Sequence, residues 1–92
     1  MELKQLCELQ GVSGREELVR AAIYEACVGV LGRENVTIDR VGNVIARKRG
    51  RDAAAPHVMV SAHMDEVGLI AGSVADNGFI RLWQLGGVDP RT

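Results

Sequence analysis

The sequence predicts an α/β fold, with two N-terminal helices packed on a mixed β-sheet of about five strands. Three observations predict it. Apolar residues recur at helical spacing before residue 32, alternate at strand spacing from Val36 onward, and form one short, nearly continuous apolar run at 57–62. With 92 residues, the chain is one small domain or part of a larger one.

The two helices are predicted from their apolar patterns and their ends. Residues 2–9 carry a short helical pattern that ends at Gln10 and Gly11. Ser13 stands three residues before Glu16, the capping-box spacing, so we expect the longer helix to begin there and to end at Gly32. Its apolar stripe should pack on the sheet, against Ile45, Val58 and Val60.

The strands are predicted from turn signals and from one run that looks buried. Residues 36–40 and 44–46 flank a tight turn at 41–43, and residues 67–74 and 79–85 flank an Asn77-Gly78 turn, so each pair predicts a hairpin. Residues 57–62 include two β-branched valines and are mostly apolar, which is typical of a strand covered on both faces. We expect this segment to be the central strand.

Charge and composition exclude several classes of partner. Eleven Lys and Arg against twelve Asp and Glu give a net charge of -1, so we expect neither nucleic acid nor an anionic membrane as a partner. The basic run at 47–51 is typical of a solvated turn. Without an N-terminal apolar segment or a membrane-spanning run, the sequence predicts a cytoplasmic protein. Cys7 and Cys27 form no CxxC pair and are predicted to be buried free thiols.

One cluster has the residue types of a catalytic site, at 63–66 after the predicted central strand. Ligands gather beyond the carboxyl ends of strands in open α/β sheets. Side chains two positions apart share a face of extended backbone, so His63 and Asp65 should point together. Imidazole suits zinc or cobalt, and a neighbouring carboxylate can orient it. The spacing alone is also compatible with a His63 that has only a structural, hydrogen-bonded role. Glu66 is typical of a solvated carboxylate. His57 lies at the opposite end of the predicted strand, so we do not expect it to be a partner of His63.

Several separated segments together resemble the M42 metallo-aminopeptidases, which include the tetrahedral TET peptidases and the glutamyl aminopeptidases. The resemblance spans nearly the whole chain, and its most specific piece is VSAHMDEVG at 60–68. The other pieces occur in the family's order: GVSGREE at 11–17, DRVGNVIARK at 39–48, GFIR at 78–81 and GGVDPR at 86–91.

The resemblance implies a peptidase that removes N-terminal residues from peptides at a site with two divalent ions, zinc or cobalt. Carried over by motif, His63 is a metal ligand, and Asp65 is the catalytic acidic residue that orients the site without binding metal. The parent protein would be a homo-oligomer such as a dodecamer.

The same resemblance implies that the site is incomplete in this chain. In the family, the general base and the remaining ligands follow the Asp-Pro-Arg segment. Residues 1–92 would therefore be the N-terminal part of the catalytic domain, reaching the start of a β-rich inserted assembly domain, and would be inactive alone.

Two other functions stay open. One is a small non-enzymatic α+β module that binds a partner through exposed sheet edges. The other is a glycan hydrolase on the same scaffold, because some M42 relatives have been described as glucanases and a fold does not determine a substrate.

Overall fold

Helix and strand both occur in the computed structural model, which describes residues 1–91. No helix in this range is long and apolar enough to cross a membrane. The elements follow one another as α1 (Leu3–Cys7), α2 (Glu17–Leu31), a 3-10 turn (Arg33–Asn35), β1 (Val36–Ile38), β2 (Val44–Ala46), β3 (Gly68–Val74) and β4 (Ile80–Leu85).

Helix α2 and the β1–β2 hairpin form the packed part of the chain. The two strands pair antiparallel, from Val36 opposite Ala46 to Ile38 opposite Val44. The helix contacts both strands. The buried hydrophobic residues of the described chain are Val19 on α2 and Val36 on β1, with 4% and 3% of their surface exposed. The small core therefore lies between the helix and this hairpin.

The turn of the first hairpin is held by its own side chains. One Asp39 carboxylate oxygen accepts hydrogen bonds from the backbone N–H groups of Val41, Gly42 and Asn43 at 2.9–3.0 Å. The other accepts from the Asn43 side-chain amide at 2.7 Å. Gly42 has a φ of 97°, which a side chain would disfavour. Arg20 of α2 donates to the Gly42 carbonyl at 2.8 Å, so the turn is also tied to the helix.

The second hairpin, β3–β4, confirms the Asn77-Gly78 turn. Its strands pair antiparallel from Gly68 opposite Leu85 to Val74 opposite Ile80, with an irregularity between Ala71 and Ser73. Asn77 accepts the N–H of Phe79 at 3.2 Å, and Gly78 has a φ of 85°. In the part of the chain that the structure describes, each hairpin is a separate two-stranded sheet, so the predicted mixed sheet is not formed.

The prediction of a central strand at 57–62 is wrong for the described structure. These residues form no strand, and Val58, Met59 and Val60 are 88–91% exposed. A strand exists only through hydrogen bonds to a neighbour, and β1–β2 and β3–β4 pair only within themselves. The apolar face of α2 consequently packs on the first hairpin and not on Val58 and Val60.

The long segment between the hairpins makes the molecule elongated. Its principal extents are 65 × 26 × 24 Å and its radius of gyration is 18.0 Å. A compact domain of this length would have a radius of gyration of about 12 Å. The basic run at 47–51 is exposed, as predicted. Cys7 and Cys27 are free thiols, but Cys7 is exposed and Cys27 half-buried, so their predicted burial is wrong.

The predicted capping box at Ser13 is also wrong. Helix α2 begins at Glu17, and Gly14, with a φ of 84°, turns the backbone between Ser13 and the helix. The Glu16 carboxylate accepts the N–H of Gly14 at 2.8 Å instead of reaching back to Ser13. The predicted end of α2 at Gly32 is confirmed, since the Gly32 N–H donates to the Val28 carbonyl at 2.9 Å.

Candidate metal site at His63 and Asp65

The segment that carries the candidate site is held against the loop that precedes α2. Val12 and Glu66 form a parallel β-bridge, and the Glu66 N–H donates to the Gly11 carbonyl at 2.8 Å. Two glycines permit this close approach. A Cβ on Gly11 would lie 3.0 Å from Val19 Cγ1, and one on Gly68 would overlap Val12 Cγ1. The site is thereby connected to the small core through Val19.

The side chains of His63 and Asp65 point together, as the extended backbone predicted. His63 Nδ1 lies 3.1 Å from Asp65 Oδ1 and 2.9 Å from the Asp65 backbone oxygen. A backbone carbonyl and an ionised carboxylate can only accept hydrogen bonds, so the neutral ring carries its proton on Nδ1. The lone pair is then on Nε2, the nitrogen available to a ligand. The ring itself is largely solvent-exposed, at 85%.

The second oxygen of the Asp65 carboxylate has a partner from far along the chain. The Ser13 hydroxyl donates a hydrogen bond to Asp65 Oδ2 across 52 positions of sequence. This donation is the main cause that lowers the pKa of the Asp65 carboxyl from its ordinary value; desolvation opposes it, and the hydrogen bond with His63 lowers the pKa further. Asp65 is therefore an ionised acceptor near neutral pH.

Sequence reasoning missed Ser13 as part of this site. Its spacing to Glu16 matched a helix cap, and no local pattern links it to a carboxylate so far along the chain. The other residues considered from sequence lie outside the cluster. The Glu66 side chain is exposed, and His57 lines a separate pocket beside Arg47 and Pro56.

The donor set partly fits a metal ion. A neutral imidazole oriented by a carboxylate is the arrangement in which a histidine ligates zinc. However, a zinc site needs three or four protein ligands, and residues 1–91 contain no group of three His, Cys, Asp or Glu side chains that could hold a metal. This chain therefore fits as the supplier of one oriented ligand.

Comparison with known proteins identifies the family. The family model for M42 glutamyl aminopeptidase matches residues 42–92, more than half of the chain. The lysyl aminopeptidase of Pyrococcus furiosus is 41% identical over 91 residues, which cover 98% of this chain and 25% of that protein. A putative aminopeptidase of Acetivibrio thermocellus is 40% identical over 89 residues, covering 94% of this chain and 24% of its own length.

A solved structure agrees in fold. The crystal structure of an endoglucanase from Thermotoga maritima matches with a TM-score of 0.81 and 43% identity, over 99% of this chain and 28% of that one. The chain thus spans about a quarter of the length of the curated relatives that it matches. Because the family model matches more than half of its residues, the chain belongs to the M42 glutamyl aminopeptidase family.

Proposed function

We propose that this chain is the N-terminal part of the catalytic domain of a metal-dependent aminopeptidase, which hydrolyses N-terminal residues from peptides. Membership of the M42 family supports the reaction class. The observation that carries the proposal is the His63 ring, whose Nδ1 faces two acceptor oxygens of Asp65 so that Nε2 is free to ligate. His63 is the proposed metal ligand and Asp65 the residue that orients it.

The chemistry follows from these assignments. Two divalent ions, zinc or cobalt, would supply the Lewis acidity that polarises a peptide carbonyl and lowers the pKa of a bound water. His63 would hold one of them through Nε2, and the Asp65 carboxylate would keep the proton on Nδ1 and the ring in place. The remaining ligands and the general base would come from the segments that the longer relatives carry beyond the matched region. The peptide substrate and a homo-oligomeric assembly, such as a dodecamer, belong to the same proposal.

A glycan hydrolase is the second candidate, and the endoglucanase structure favours it. Glycoside hydrolysis usually needs two carboxyl groups across the scissile bond, one of them protonated. The cluster instead pairs one imidazole with one carboxylate whose pKa is lowered, and the neighbouring Glu66 side chain is exposed. This donor set suits a metal-assisted peptidase better.

A chimera tests whether this segment can supply a metal ligand to a peptidase. Residues 1–91 would replace the matching segment of the Pyrococcus furiosus lysyl aminopeptidase, and zinc or cobalt content would be measured together with hydrolysis of lysine p-nitroanilide and of a cello-oligosaccharide. We expect peptidase activity alone. His63→Gln should lower metal content and activity together, by on the order of 100-fold in activity, because a ligand is lost.

His57→Gln is the matched control, since it changes the other histidine of the chain, which lies in a different pocket. It should leave both readouts unchanged. Metal content and activity that survive His63→Gln, or that fall equally in His57→Gln, would contradict the ligand assignment. Cleavage of the oligosaccharide without cleavage of the lysine substrate would favour the glycan hydrolase.

A further inference from the structure

The Asp65 carboxylate is shared between two side chains that are distant in sequence. Its Oδ1 faces His63 Nδ1 at 3.1 Å, and its Oδ2 accepts the Ser13 hydroxyl. We propose that Ser13 is a positioning residue, which holds the Asp65 carboxylate in the orientation that sets the His63 ring. This inference rests on the proposed function of His63 as a metal ligand, but its first readout is the ring itself.

The backbone around Ser13 is fixed relative to Asp65. On one side, the Gly11 carbonyl accepts the Glu66 N–H, and Val12 bridges to Glu66. On the other, the Arg15 N–H donates to the Val12 carbonyl at 2.8 Å and closes a turn around Ser13. The Ser13 side chain therefore approaches Asp65 from a loop whose backbone is held by hydrogen bonds on both sides.

The His63 ring has little else to hold it. At 85% exposure it makes few packing contacts, so its orientation depends on the oxygens of Asp65. The terminal torsion of an aspartate is broad, and the Asp65 side chain is 38% exposed, which lets water compete for its oxygens. Engaging Oδ2 with Ser13 restricts that torsion and leaves Oδ1 directed at Nδ1. Loss of a group that orients a metal-bound histidine in this way typically lowers metal affinity or activity by about 10- to 100-fold. Removing the Ser13 hydroxyl should therefore weaken metal binding by roughly 10-fold or more.

The first test measures the His63 ring in the metal-free 92-residue chain. Nitrogen-15 NMR at pH about 8.5, where an ordinary imidazole is neutral, reports which ring nitrogen carries the proton. We expect the proton on Nδ1 in the unaltered chain. In Ser13→Ala, the two ring nitrogen shifts should move toward each other as the ring exchanges between tautomers. Ser13→Thr keeps the hydroxyl and should restore the original shifts. Ser73→Ala, on β3, is the control.

The second test measures zinc affinity in the chimera by competition with a chromophoric chelator. Ser13→Ala should weaken zinc binding by about 10-fold or more, and Ser13→Thr should recover it. Unchanged His63 ring shifts in Ser13→Ala would overturn the inference. Equally large changes in the amide signals of α2 would also overturn it, because they would show that Ser13 only stabilises the loop before the helix. If His63→Gln retains zinc while Ser13→Ala still alters the ring, the metal assignment fails and the positioning of the ring stands.

Discussion

Val19→Ala tests whether the small core supports the candidate site. Val19 is 4% exposed, and its Cγ1 packs against Gly11, whose carbonyl holds the Glu66 N–H. The substitution removes two methylene equivalents at about 0.8 kcal/mol each, so we expect the free energy of unfolding to fall by about 1.6 kcal/mol. Gly11 has no side chain that could move into the space left by the two methyl groups, so the resulting cavity lowers the free energy of unfolding further. For a domain of this size, a loss of that order lowers Tm by roughly 6–13 °C.

The assay is urea unfolding followed by the circular dichroism of α2, with Val30→Ala as the matched control. Val30 lies on the same helix and is 83% exposed, so the identical chemical change should alter the free energy of unfolding by at most about 0.5 kcal/mol. The NMR signals of His63 should also broaden in Val19→Ala alone, because the loop before α2 loses its support. Equal shifts of the unfolding midpoint in the two variants, or none at Val19, would refute the reasoning.

Two further predictions concern the glycines and the first hairpin. Gly68→Ala should cost about 1–3 kcal/mol of stability, because its Cβ would overlap Val12 Cγ1 and separate the bridge to Glu66. Gly29→Ala on α2, where nothing lies within 4 Å of the added Cβ, should instead raise the free energy of unfolding by about 0.5–1 kcal/mol. Thermal melts of both variants check these predictions, and a stabilised Gly68→Ala or a destabilised Gly29→Ala would contradict them. For Asp39, the hydrogen bonds from Asn43, Val41 and Gly42 lower the carboxyl pKa in the folded chain, so their stabilisation is present above the ordinary aspartate pKa of the unfolded chain and is lost as pH falls through the lower, folded pKa. Asp39→Ala should therefore be less stable than the unaltered chain at pH about 7, with a difference that shrinks below pH about 4; a difference in urea midpoint that does not vary with pH would contradict this.

The elements predicted correctly depend on short-range interactions. The first hairpin turn closes through Asp39 and Asn43, four positions apart, and the second through Asn77 and Gly78. Helix α2 ends at Gly32, where a positive φ is required. The contact between His63 and Asp65 is of the same kind, since extended backbone brings alternate side chains to one face.

The wrong predictions involve partners that a local pattern cannot identify. The apolar run at 57–62 indicates a segment suited to burial, but a strand requires another strand beside it, and the described hairpins pair only within themselves. Ser13 has the spacing of a helix cap, yet Gly14 turns the chain and releases the hydroxyl for another acceptor.

The sequence by itself therefore determined the two hairpins, the end of α2, the family and the pairing of His63 with Asp65. Each of the structural features is set by groups within a few positions of one another. Only the tertiary structure decided that the Ser13 hydroxyl donates a hydrogen bond to the second oxygen of the Asp65 carboxylate. That contact exists because the Val12–Glu66 bridge and the packing of Gly11 on Val19 bring two segments about fifty positions apart into register.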